Sequence, residues 1–92
     1  DIRMDERTKL VTVGGQKVNL TPTEYSILRL LMESPGRVFS SKALYEAVWQ
    51  EAALGSEGAV AVHIRHLREK LEIDPSEPRY LKVVWGIGYK ID

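Results

Sequence analysis

Gly58-Ala59-Val60-Ala61-Val62-His63-Ile64-Arg65-His66-Leu67-Arg68-Glu69-Lys70-Leu71 is the stretch on which the reading of this chain turns. Val60, Ile64, Leu67 and Leu71 fall at i, i+4, i+7 and i+11. At 100° per residue this places them within about 60° of one another on one side of a helix, which is expected over about residues 57 to 72. That side packs on a core. The opposite side carries Ala61, Val62, Arg65, His66 and Glu69, with His63, Arg68 and Lys70 on its flanks. It is not the mixture of Glu and Lys that merely solvates a helix. Arg65, Arg68 and Lys70 stand here against the single acid Glu69, although 13 Lys+Arg and 13 Asp+Glu leave the whole chain with zero net charge. A B-DNA major groove admits one α-helix, where Arg can bond a guanine edge, Ala or Val can touch a thymine methyl, and flanking cations hold phosphates. This helix, the third in the chain, carries those parts.

Upstream of it, Glu51-Ala52-Ala53-Leu54-Gly55-Ser56-Glu57-Gly58 has no helical stripe and an acidic cast, so it reads as an exposed loop. Before the loop, Ser40 or Ser41 caps a second helix that ends near Trp49 and turns Leu44, Ala47 and Val48 inward. Tyr45 and Trp49 belong either to an exposed aromatic patch or, at least one of them, to the core. Val38-Phe39 is a short extended link. Thr21-Pro22-Thr23-Glu24 starts a first helix: Thr21 caps, Pro22 suits the first helical position, and Glu24 returns a bond as the third residue of a capping box. Tyr25, Leu28, Leu31 and Met32 form its buried stripe, and Ser34-Pro35-Gly36 stops it.

The first twenty residues alternate as strands do, through Ile2 and Met4, Leu10 to Val13, then Val18 and Leu20. Gly14-Gly15 supplies the positive φ that a tight primed hairpin turn needs. A phosphate-cradling loop would require a helix directly after it, and Gln16 to Leu20 is extended. At the other end, the two-proline connector Ile73 to Pro78 leads to Tyr80–Val84 and Tyr89–Ile91, two β-rich runs flanking Trp85-Gly86-Ile87-Gly88. The chain closes on a hairpin.

At 92 residues the sequence has room for one domain, taken as residues 1–92. Without cysteine, disulfide frameworks, thiolate metal sites and Cys nucleophiles are excluded. No apolar run is long enough to span a membrane and no signal-type stretch opens the chain, so a cytoplasmic location is expected. The lack of an initial Met leads us to expect a piece of a longer protein. His63-x-x-His66 with Glu69 has a spacing that metals use, but no metal or cofactor is expected. Gly86-x-Gly88 lacks a third glycine and a following helix. The carboxylate pairs Glu69/Glu72 and Asp5/Glu6 lie in polar stretches read as exposed, so nothing points to an enzyme.

Two capped helices, a loop, a third helix with an unusual outer face and a glycine-tipped hairpin form the layout of a winged helix-turn-helix, an α+β fold. The motifs Leu20-Thr21-Pro22-Thr23-Glu24-Tyr25, Pro35-Gly36-Arg37-Val38-Phe39-Ser40, Leu44 to Trp49, Val60 to Leu71 and Val84-Trp85-Gly86-Ile87-Gly88-Tyr89 cover nearly the whole chain. In them the sequence resembles the winged-helix effector domain of OmpR/PhoB-type response regulators, and the Trp85–Lys90 variant is similar to that of the vancomycin-resistance regulators. The resemblance implies an N-terminal four-stranded antiparallel sheet, three helices and a C-terminal hairpin wing over residues 80–92. It also implies sequence-specific binding to promoter DNA at tandem half-sites, under control of a phosphoacceptor receiver domain and a sensor histidine kinase.

Carried over to matching positions, the resemblance implies that Val62, Arg65 and His66 read base edges, with Ala61 where relatives often place a polar contact. It implies that Trp49, His63 and Arg68 touch phosphates. His66 stands where many relatives have Arg, and Trp85 replaces the wing Arg that in relatives enters the minor groove. Trp85 is then expected to pack under the wing or to donate its indole N–H to the DNA backbone, leaving Lys82 and Lys90 as the wing's cations beside Lys70 on the helix. Glu51, Leu54 and Glu57 mark a loop that either touches RNA polymerase or simply connects two helices. The rival reading is a winged-helix module that binds protein and not DNA.

Overall fold

The computed structural model describes residues 1–92. Strands β1 (Ile2–Asp5), β2 (Leu10–Val13) and β3 (Gln16–Val18) form an antiparallel sheet in that order, with Val13 opposite Gln16 across Gly14-Gly15. Both glycines have positive φ, 56° and 83°, as the tight primed turn requires. Three helices follow: α1 (Pro22–Glu33), α2 (Ser41–Trp49) and α3 (Ala59–Leu71). Strands β4 (Leu81–Val84) and β5 (Gly88–Ile91) close the chain as an antiparallel hairpin. None of the helices is long and apolar enough to cross a membrane.

The N-terminal sheet has three strands where the resemblance implies four. After Val18 the chain goes straight to Thr21, whose capping role commits Pro22 to helix and leaves no length for another strand. The extended link before α2 pairs elsewhere: Phe39 bridges Tyr89 of β5, each donating its N–H to the other's carbonyl at 2.8 and 2.9 Å.

The capping box forms as expected. Thr21 Oγ1 accepts from the Glu24 N–H at 3.2 Å and Glu24 Oε1 accepts from the Thr21 N–H at 3.0 Å. Ser40 caps α2, its Oγ accepting from the Ala43 N–H at 3.0 Å. The core gathers Ile27, Leu28 and Leu31 of α1, Leu44 of α2, Val60, Ile64, Leu67 and Leu71 of α3, and Leu81 and Ile91 of the hairpin. On α2, Leu44 is buried and Val48 packs against the core as expected, but the buried side is rotated away from Ala47, which is exposed, toward Tyr45, which is buried. Tyr45 stacks on Trp49 one turn later, ring centroids 4.6 Å apart. Two aromatic rings bury far more apolar area than one methyl, so they set the rotation.

One carboxylate contradicts the exposed, polar reading of the acids, and another carries more than its cap. Glu72, read as solvated, is buried, and its side chain accepts from the N–H groups of Arg79, Tyr80 and Leu81 at 2.6, 3.0 and 2.9 Å. It ties the end of α3 to the start of β4. Glu24 is only 2% exposed, with Lys70 Nζ at 2.6 Å from Oε1 and His66 Nδ1 at 3.9 Å from Oε2.

Burial pushes the Glu24 carboxyl up, but the Lys70 ammonium, the Thr21 N–H and the nearby His66 together hold it below its ordinary value. A depressed folded-state value means stabilisation that is complete above the unfolded value of about 4.3 and lost as pH falls through the folded one. Urea unfolding followed from pH 6 to pH 3 should therefore show a steeper acid loss in the wild type than in Glu24→Gln. Equal slopes would show that Glu24 carries no linked stability.

Candidate nucleic-acid interface

On α3 the buried stripe leaves the other side open. Ala61, Val62 and Arg65 are exposed, with Val62 54% accessible, and His66 is half-buried beside them. An aliphatic side chain this accessible on a well-packed helix has no use in the protein's own core. Arg65 lies 3.9 Å from Glu69 one turn on, and both side chains are largely solvated. Such a pair is worth a few tenths of a kcal/mol, about 0.3–0.5. The guanidinium can thus be re-aimed at little cost.

The flanking cations divide. Arg68 donates from Nε to the Leu81 carbonyl at 3.3 Å, which joins α3 to β4 and leaves its other N–H donors for an anion. Lys70 turns away from the outer face to the buried Glu24, so that face has one cation fewer than the sequence pattern suggests. Removing it from that ion pair would strand a buried carboxylate. On the wing, Lys82 and Lys90 lie opposite one another and share Asp92, each at 3.1 Å.

His63 is half-buried against Trp49, ring centroids 5.5 Å apart and tilted by 57°. Its Nδ1 is buried without a partner. Tyr45, Trp49 and His63 thus form a continuous aromatic column from α2 to α3.

In the loop between α2 and α3, Glu51 accepts from the Tyr45 hydroxyl at 3.1 Å, and burial followed by this bond raises the phenol above its usual range. Glu46 anchors the loop by accepting the N–H of buried Ala53 at 3.2 Å. Leu54 projects into solvent at φ 41°, and Glu57 has one carboxylate oxygen buried without a partner. Trp85 does not pack under the wing: it is exposed at the tip of the hairpin.

The structure thus brings Ala61, Val62, Arg65 and His66 onto one open face, with Trp49, His63 and Arg68 at its border. Lys82, Trp85 and Lys90 sit apart on the hairpin. Sequence reasoning missed the Glu24 link to Lys70 and His66. Glu24 announced itself only as a cap, and its ion-pair partner lies 46 residues away.

Residues 15–91 match the family described as "Transcriptional regulatory protein, C terminal". A "probable transcriptional regulatory protein" of Picosynechococcus sp. is 50% identical over 90 residues, covering 98% of this chain and 36% of that protein. The regulatory protein VanR of Enterococcus faecium is 47% identical over 81 residues, covering 87% of this chain and 35% of VanR. The chain thus spans little more than a third of the length of these relatives. Among solved structures, the Thermotoga maritima response regulator DrrB, an OmpR/PhoB homolog, superposes with a TM-score of 0.88 at 33% identity, over 99% of this chain and 41% of DrrB. The DNA-binding domain of Klebsiella pneumoniae RstA, solved in complex with the RstA box, gives a TM-score of 0.89 at 28% identity, over 98% of this chain and 89% of that one.

Proposed function

Because the chain belongs to the C-terminal domains of OmpR/PhoB-type transcriptional regulatory proteins, we propose that it binds double-stranded promoter DNA sequence-specifically as the effector domain of a two-component response regulator. Helix α3 enters the major groove and the wing lies on the backbone or in the minor groove. The observation that carries this reading is the open face of α3, where Ala61, Val62, Arg65 and His66 stand opposite the buried Val60, Ile64, Leu67 and Leu71. In this reading those four residues contact base edges. Trp49, His63 and Arg68 meet phosphates, joined by Lys82 and Lys90 when they leave Asp92.

Residues 1–92 act as one domain of a longer cytoplasmic regulator. The receiver domain answers to a sensor histidine kinase, and the loop carrying Glu51, Leu54 and Glu57 meets RNA polymerase through exposed Leu54. With zero net charge and part of its basic side chains already paired, a single copy gains little from counterion release. Tandem half-sites about one helical turn apart, occupied by two copies, make up the difference.

Selection of bound duplexes from a random pool, followed by two variants, tests the reading. Arg65→Ala is expected to relax base preference at one position, a loss of about 1–3 kcal/mol of discrimination. Arg68→Ala is expected to weaken all duplexes alike and to reduce the salt slope by about one. If neither variant alters duplex binding at low salt, the DNA reading is wrong and the exposed Val62 face serves a protein partner.

A further inference from the structure

A cleft of about 480 Å³ opens between the β1–β2 turn, α1 and the last turn of α2, and none of the side chains placed on DNA lines it. That volume falls within the range of small-molecule sites, about 300–1,000 Å³. Along α1, Pro22, Tyr25, Ser26, Arg29 and Leu30 recur at three- and four-residue spacing, so one stripe of the helix forms a wall of the cleft. Leu20, Leu30, Ala47 and Val48 make its apolar lining. Ala47, left outside the core by the rotation of α2, has its place here.

Its polar groups are not satisfied by the fold. Tyr25 is only 8% exposed, yet its hydroxyl is buried without a hydrogen-bond partner, a deficit that a ligand oxygen would make good. Lys9 Nζ lies over the Tyr25 ring, 5.2 Å from its centroid, and takes part in none of the chain's ion pairs. Arg29, one turn after Tyr25, reaches Glu6 and Glu33 at 3.5 Å each, in exposed pairs weak enough for an arriving anion to displace. The backbone adds a separate sign. Of the chain's three non-glycine residues with positive φ, two line this cleft, Lys9 at 62° and Gln50 at 59°. Glycine would adopt either conformation without strain, so these side chains are held against the backbone's preference, as they are at ligand clamps.

The geometry points to a binding site for a small amphipathic carboxylate, its apolar body against Leu20, Leu30 and Val48 and its anionic head among Lys9, Arg29 and the Tyr25 hydroxyl. Lys9 swings from the ring to the carboxylate, and the hydroxyl it uncovers donates to the same group. Charge decides the class: the ionised side chains lining the cleft, Lys9 and Arg29, are both cations, and a charge-assisted hydrogen bond is roughly twice as strong as a neutral one. A bare inorganic anion would leave the apolar lining wet, and a plain hydrocarbon would leave the hydroxyl unmet. The site lies apart from the open face of α3 and does not depend on the DNA-binding reading.

The test follows the backbone amide resonances of the labelled chain as 3-phenylpropionate is added. Those of Tyr25, Ser26, Arg29 and Gln50 should shift and saturate, with a Kd of roughly a few millimolar or tighter, as expected for a ligand of this size. The neutral 3-phenylpropionamide, of the same shape, should bind roughly tenfold more weakly. Tyr25→Phe and Lys9→Gln should each lose roughly tenfold in affinity for the acid. The Tm of Tyr25→Phe should not fall, because the hydroxyl it removes has no partner in the fold. Resonances that stay unmoved, equal affinities for acid and amide, or a Tyr25→Phe affinity within about twofold of wild type each overturn the inference. Inorganic phosphate moving the same resonances as strongly overturns it in favour of a plain basic patch. Resonances that move with protein concentration, with nothing added, overturn it in favour of a second copy covering the cleft. In all these cases the DNA-binding reading stands.

Discussion

Glu72→Ala is expected to destabilise the fold by about 3 kcal/mol or more, a larger loss than any change on the open face of α3. The carboxylate accepts from three consecutive backbone N–H groups, those of Arg79, Tyr80 and Leu81. Hydrogen bonds to an ionised acceptor are worth about 1.5–3 kcal/mol each, and a donor left unmet in a buried place costs about 1–3. Water can reach the Arg79 end, which is exposed, but Leu81 is fully buried and its N–H has no other acceptor in view. The loss falls where α3 hands over to the wing, so hydrogen exchange at Tyr80 to Val84 should quicken more than at Ile27 or Leu28. Glu72→Gln keeps one acceptor oxygen and should lose about half as much. In urea the midpoint should fall with the denaturant slope unchanged. An unshifted midpoint would mean that these bonds contribute nothing net.

Gly88→Ala comes next, at about 3 kcal/mol. A Cβ here would sit inside the Phe39 carbonyl group, 2.6 Å from its carbon and 2.9 Å from Ser40 Cα, all of it backbone. The hairpin must move off the body, and both Phe39–Tyr89 hydrogen bonds go with it. Overpacking of this kind costs about 1–3 kcal/mol before the hydrogen bonds are counted. Gly86 two residues earlier is the control, since its Cβ would meet nothing within 4 Å and the penalty is only the positive φ of 76°. Gly86→Ala should then cost about 1 kcal/mol. For a domain of this length each kcal/mol is worth roughly 4–8 °C in Tm, so the two variants separate clearly in a melt. Equal shifts would contradict the distinction between a glycine that turns the chain and one that lets two backbones touch.

That distinction marks what the sequence could and could not disclose. Features written in a few neighbouring residues were legible: the Thr21–Glu24 capping box, the Gly14-Gly15 turn, the α3 stripe and the closing hairpin all appear where expected. Features made by distant residues were not. Gly88 reads like part of a turn, but its requirement comes from Phe39, nearly fifty positions earlier. Lys70 reads as a cation of the outer helix face, but a buried acid on α1 claims it. Glu72 reads as a solvated acid because its three donors lie across a two-proline connector whose path no local pattern dictates.

For the interface the same division holds. The open face of α3 follows from helical period alone, since the residues opposite a buried stripe must be outside. Trp85 could not be placed from sequence, because an indole in a hairpin turn packs inward or outward according to the strands beneath it. Here the turn closes on Val84 and Ile87, and the ring is left outside.

The most direct check on the account follows the backbone amide resonances of the labelled chain as the selected duplex is added. The account predicts that the largest changes cluster at Ala61, Val62, Arg65 and His66, followed by Trp49, Arg68 and the wing, while Ile2 to Val18 stay still. Perturbations confined to the N-terminal sheet or to the outer side of α1, with α3 unmoved, would contradict it.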